Sequence, residues 1–217
     1  GVTVLDCGIE TSGSLEAGRL FSEICLGGLG SVSVRELHLD GLDLPGVEVT
    51  VGHPVVACMA SQYAGWAVKT PKTEDAKSYF AMGSGPARAL HRGDPIFSDI
   101  DYRDRADVAV LTLESRTMPP PAATGWIAGK CGVTPDKLYL LAAPTACMVG
   151  SVQIAARVVE TGIHKMHEVG FDITTLRSGF GSCPLAPIAA DDLTAIGRTN
   201  DGVLYGGRAW YTVEAGD

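Results

Sequence analysis

Apolar and polar positions along this chain repeat with two different periods, and the switches between them lay out its elements. Val2-Thr3-Val4-Leu5-Asp6 opens with strand-like alternation. From Glu16 to Cys25 the apolar positions Leu20, Phe21 and Ile24 take helical spacing, and Gly27-Gly28-Leu29-Gly30 supplies a stop. Ser31 to Leu39 alternates again, and Val47 to Val51 follows a turn read over Gly41 to Gly46. Pro54 to Tyr63 predicts a helix with proline in its first turn, Trp66 to Lys69 a short strand, and Lys69 to Ser78 a polar loop. Asp107 to Leu113 and Leu138 to Ala142 are buried strands by their apolar runs, with a helix at Ala122 to Cys131 between them. Phe171 to Leu176 predicts a strand, Ser178 to Pro187 a loop rich in Gly and Pro, Asp191 to Ile196 one or two helical turns, and Arg208 to Val213 a last strand.

Strand, helix, strand, helix in the second half fits an α/β layer, and the closely spaced strands of the first half fit a mixed sheet. The expected fold class is therefore mixed α and β (α+β / α/β), with two lobes of mixed sheets flanked by helices. The charged stretch Arg92 to Arg105 serves as the connection, so the lobes are expected at 1–100 and 101–217. The chain begins on a strand without a leading Met, the pattern expected of a fragment.

The stretch Ala142 to Gly170 concentrates the candidate chemistry. Ser151 suits an N-cap for one helix reaching about His167. Along it Gln153, Arg157, Glu160 and His164 recur at spacings of four, three and four, placing them on one stripe. One interpretation is a solvated face with an Arg157–Glu160 ion pair. The other is a pair of charges facing a partly dry cavity, because the stripe lacks the Lys and Glu that usually clothe an exposed helix. Two further stretches have two interpretations each. Gly83-Ser84-Gly85-Pro86, with Arg88 one turn on, either binds an anion through exposed N–H groups or is a plain strand-to-helix turn. Asn200 and Asp201, at a turn flanked by glycines, either bind a polar heterocycle or cap that turn.

Composition narrows the classes. A net charge of −8 with no basic run argues against nucleic acid as a partner, and no apolar run of membrane-spanning length is present. The six cysteines, at 7, 25, 58, 131, 147 and 183, contain no CxxC pair and lie in apolar sequence, as reduced core thiols of a soluble cytoplasmic protein do. His164, His167 and Glu168 are the strongest metal candidates, yet without a third separate ligand they make a poor zinc set.

GSGPARA at Gly83 to Ala89, APTA at Ala143 to Ala146, GSVQIAARVVETGIHK at Gly150 to Lys165 and AIGRTNDGVLYGG at Ala195 to Gly207 together resemble the methenyltetrahydromethanopterin cyclohydrolase family, as do the opening DCG, EAG and FSEICLGGLG. The resemblance implies two lobes with a large pocket between them, a homotrimer, and reversible hydrolysis of a methenyl pterin to its N5-formyl form with no metal and no cofactor. The small-molecule pterin coenzyme would be substrate. Positions matching the family's catalytic pair are Arg157 and Glu160; Arg157 would orient the carboxylate and hold its pKa down. Substrate contacts are expected from Ser84, Gly85, Arg88, Gln153, Asn200 and Asp201, with His164 less closely tied. The family also carries segments before Gly1 and after Asp217. The rivals are a noncatalytic pterin-binding or scaffold module and a metal-dependent hydrolase using His164 and His167.

Overall fold

The computed structural model describes residues 1–70 and 78–214, so most of the loop expected at Lys69 to Ser78 lies outside the described residues. The fold is mixed α and β, built on two sheets. Strands β1 (Thr3–Asp6), β7 (Leu138–Ala143), β6 (Ala109–Glu114), β5 (Tyr79–Ser84) and β4 (Trp66–Thr70) form the first in that order. β1, β7 and β6 run parallel and β5 and β4 antiparallel, so this sheet is mixed. The second sheet is antiparallel throughout, in the order β2 (Gly30–Leu39), β3 (Leu42–Val51), β8 (Leu176–Pro184) and β9 (Arg208–Val213).

Both sheets draw strands from both sides of residue 100. Burying either sheet requires its distant strands to pair, so no cut between consecutive elements separates two cores. The first core layer packs sheet residues Val68, Ala81, Leu111 and Leu140 against α3 (Pro121–Cys131) and α2 (Ala87–His91). The other side of that sheet packs Leu141 and Ala143 on Phe21 of α1 (Leu15–Cys25) and on Val149 of α4 (Met148–Ala155). A third cluster joins Val47, Val49 and Val51 of the second sheet to Val152, Val159 and Ile163, the last two on α5 (Val158–Glu168). Helix α1 touches β2 and β6, so it stands between the sheets.

Four expectations change, the first two for identifiable reasons. The turn expected over Gly41 to Gly46 is instead Asp40-Gly41, both at positive φ (50° and 81°), and β3 runs through Pro45. Asp-Gly at a two-residue hairpin is a strong register signal that the apolar alternation concealed. The loop expected at Ser178 to Pro187 is mostly β8, an interior strand of the second sheet. Its glycines are there because α5 lies against it: a Cβ at Gly179 would stand 2.6 Å from Val159 Cγ1 and one at Gly181 2.9 Å from Val158 Cγ1. The helical turns expected at Asp191 to Ile196 extend as α6 (Asp192–Asp201), and Phe171 to Leu176 holds a 3₁₀ turn before β8 rather than a strand.

Candidate active site

The single helix expected from Ser151 to His167 is two. Cys147 caps α4, its sulfur accepting from the Gly150 N–H, while Ser151 lies inside the helix and donates to the Ala186 carbonyl at 2.6 Å. At Ala155 to Arg157 the ladder tightens: the Arg157 N–H bonds the Ile154 carbonyl, three residues back, at 3.0 Å. Gln62 intervenes here, its Nε2 donating to the Ala156 carbonyl at 3.1 Å. A side chain inserted into the helical ladder is a recognised cause of such breaks. At this break Arg157 reaches Ser84 of the first sheet, while α5 packs on β8 and β9 of the second.

Arg157 is thereby a junction between elements. Its Nε donates to Gln153 Oε1 (3.1 Å), its Nη1 to the Gln62 carbonyl (2.8 Å) and its Nη2 to Ser84 Oγ at the end of β5 (2.8 Å). Glu160 lies in the first turn of α5, with Oε2 3.8 Å from Arg157 Nη1. That carboxylate is 5% exposed and accepts no hydrogen bond among the described residues. Burial pushes it up to about 6, against the downward pull first of Arg157 and then of Arg88. Arg157 pulls it down as expected, but desolvation outweighs the cation at this separation, so the net shift is upward.

Arg88 is fully buried rather than presented to a ligand. It donates from Nε and Nη2 to Asp94 Oδ2 (2.9 and 2.6 Å) and from Nη1 to the Met59 and Ser61 carbonyls (2.8 and 3.3 Å). An unpaired buried guanidinium would be too costly, so its donors are spent inside the protein. The Gly85 N–H is likewise committed, to the Ser61 carbonyl at 2.8 Å, and Gly83 to Ala89 is the plain strand-to-helix turn. Ser84 and Gln153 do join Arg157. Asn200 and Asp201 occupy the last turn of α6, exposed, and line none of the cavities described here.

The space beside Arg157 is small. Ser84, Thr112, Glu114, Gln153 and Arg157, with Phe21, Met82 and Ala143, enclose a cavity of about 10 Å³, room for one water. Glu114, which sequence reasoning missed, accepts from Thr145 Oγ1 there. A cleft of about 570 Å³ lies elsewhere, among Gly52 to Val56, Ile100 to Tyr102 and Thr174 to Arg177. Among the described residues, the large pocket expected at Arg157 is therefore not found.

On the other side of Glu160, the Tyr63 ring stacks on His164 at 4.8 Å and 20°, and the Arg88 guanidinium lies 5.1 Å from the Tyr63 centroid. His164 is 3.8 Å from Glu168, whereas His167 reaches Asp99 at 3.1 Å. These two histidines therefore face different partners, and among the described residues no group of three or more His, Cys, Asp or Glu is placed to hold a metal. Gln62 and Tyr63 carried one faint signal in the sequence, the polar and aromatic residues that with Ser61 end the apolar run VVACMA.

Known proteins with similar sequences carry one name. The methenyltetrahydromethanopterin cyclohydrolase of Methanococcoides burtonii is 44% identical over 218 residues, covering 100% of this chain and 66% of that protein. The proteins of that name from Methanococcus maripaludis (strain S2) and Methanosarcina barkeri are 51% and 45% identical, over 99% and 98% of this chain and 66% and 65% of their own lengths. The chain thus spans slightly less than two thirds of the length of these curated relatives. The profile of the family described as Cyclohydrolase (MCH) matches residues 1–217, and the chain belongs to that family.

Proposed function

We propose that this protein is a methenyltetrahydromethanopterin cyclohydrolase, interconverting N5,N10-methenyltetrahydromethanopterin and the N5-formyl compound by addition of water. Family membership and the names of its relatives support the substrate class. The observation that carries the chemistry is Glu160: buried, without a hydrogen-bond donor among the described residues, beside a cation, and titrating near 6. Such a carboxylate is ionised at neutral pH yet basic enough to take a proton.

The methenyl carbon shares its positive charge with two nitrogens and is electrophilic without a Lewis acid, so the proposed reaction needs no metal and no cofactor. Water attacks that carbon as Glu160 accepts its proton. The carbon–N10 bond then breaks as Glu160 returns that proton to N10, and the hydroxyl gives up its own proton to solvent as the C=O forms, leaving the formyl group on N5 with one proton released overall. Glu160 also offsets the charge of the bound cation, while Arg157 holds the carboxylate in place. The half-exposed Tyr63–His164 stack gives the reading its direction of approach. Gln153 and Ser84 serve through Arg157. Asn200 and Asp201 remain proposed contacts for the pterin edge, supported by the family resemblance alone. A homotrimer and a cytoplasmic location belong to the same reading, the latter supported by six free thiols.

The test follows the near-ultraviolet absorbance of the methenyl coenzyme, which should decay faster with the protein than in buffer. Glu160→Gln should lose turnover by about 10²-fold or more with a modest loss of binding. Equal rates for Glu160→Gln and the parent would remove Glu160 from the mechanism. Binding without accelerated decay would point to the noncatalytic module.

A further inference from the structure

Arg157 has a long side chain with many rotamers, and three acceptors fix it: Gln153 Oε1, Ser84 Oγ and the Gln62 carbonyl. Of these residues, Gln62 is the one that also binds the helix break, through Nε2 to the Ala156 carbonyl. It closes a wide helical turn, Val55–Gln62, in which the next N–H, that of Tyr63, reaches back five residues to the Cys58 carbonyl at 2.7 Å. That extra width brings the residue inward.

Gln62 is fully buried, and its Oε1 has no hydrogen-bond partner among the described residues. A buried amide oxygen left unpaired is unfavourable, and Met or Leu would fill the same volume without it. The amide is therefore retained for what its other end and its backbone do. We propose that Gln62 is a positioning residue: by tying Ala156 and Arg157 to the end of one helical turn, it sets where the Arg157 guanidinium stands relative to the Glu160 carboxylate. This inference rests on the reading of Glu160 as proton acceptor.

Five groups bear on Glu160 from the elements around it. They are Arg157 at the junction, Arg88 of α2, Cys58 and Tyr63 at the Val55–Gln62 turn, and Tyr211 of β9. Burial pushes Cys58, Tyr63 and Tyr211 up, so these three stay neutral around pH 6 and the two arginines supply the charge. His164, one turn along α5, is a further titratable neighbour, and the signal of the Glu160 carboxyl carbon distinguishes the two.

The experiment compares the 217-residue chain with Gln62→Met, following the labelled Glu160 carboxyl carbon by NMR through a pH titration alongside turnover and KM. Loosening the guanidinium weakens its downward pull. The midpoint should therefore rise from about 6 by about half a unit or more, and turnover should fall about tenfold with KM changed less than twofold. An unchanged midpoint, with or without loss of turnover, would overturn the inference, because a purely structural role moves only stability. Should Gln62→Met not fold, the side-chain amide signals of Gln62 in the parent must shift with the Glu160 midpoint, and constant signals would overturn it equally. Absence of cyclohydrolase turnover in the parent would sink the proposed function, while the midpoint comparison, which needs no substrate, would still decide Gln62.

Discussion

At the scale of the residue, Glu160 carries opposite consequences for activity and stability. Its carboxyl is raised from 4.5 to about 6, so the folded state holds its proton more tightly than the unfolded chain. The sign follows: the associated stability is fully present below about 4.5 and is lost as pH rises through about 6. By linkage the ionised form costs about 2 kcal/mol at pH 8. Glu160→Gln mimics the protonated acid, so it should stabilise the chain by about that amount at pH 8 and by little at pH 4, as denaturant titrations at the two pH values would show. The same group gives turnover of the parent an acid limb near pH 6, and a rate flat through that range would deny it the proton-accepting role. The site would thus give up stability to keep a base where catalysis needs one.

At the scale of the element, the controlling event is the break between α4 and α5, together with the tight seat of α5 on β8. Gly179→Ala places a methyl against Val159, the residue before Glu160, so α5 must lift from the sheet. A loss of about 1–3 kcal/mol in stability is expected, with a turnover loss greater than unfolding explains, because Glu160 moves with Val159. Gly129→Ala in α3 is the contrast: its added methyl meets nothing within 4 Å, so it should stabilise by up to about 1 kcal/mol. Thermal melts and rates on both variants test this, and equal behaviour would mean that the α5–β8 contact does not hold Glu160. Periodicity alone made the regular elements legible: α1, α3, β2, β6 and β7 fall within a few residues of their apolar patterns. The Arg157–Glu160 pair was legible because spacing of three is local. The break between them was not, because its cause, Gln62, lies 94 residues before Ala156 in the chain. Arg88 misled for the same reason, since Asp94, Met59 and Ser61, which absorb its donors, leave no periodic trace. β8 was hidden because its glycines answer a helix packed on them rather than a turn.

At the scale of the whole molecule, the surface leaves large apolar side chains uncovered at several places, and the most exposed of them fall late in the chain. Leu193 of α6 and Leu204 and Tyr205 just beyond it are 82%, 68% and 85% exposed, and Trp210 stands on β9, an outer strand of its sheet. Apolar side chains this exposed are what association covers. Such side chains give the proposed homotrimer a physical basis. Net charge opposes it: every subunit brings −8, so assembly brings like charges together and salt should favour it by screening. Light scattering should therefore give a mass about three times 22.6 kDa, with a midpoint that falls to lower protein concentration as salt is raised from about 0.05 to 0.5 M. Leu193→Glu combined with Tyr205→Glu should return the mass to 22.6 kDa without lowering the melting temperature of the monomer, because both side chains already face solvent. A trimer unmoved by the double substitution would place its interface on another face, and a parent that stays at 22.6 kDa at every concentration would remove the homotrimer from the functional reading.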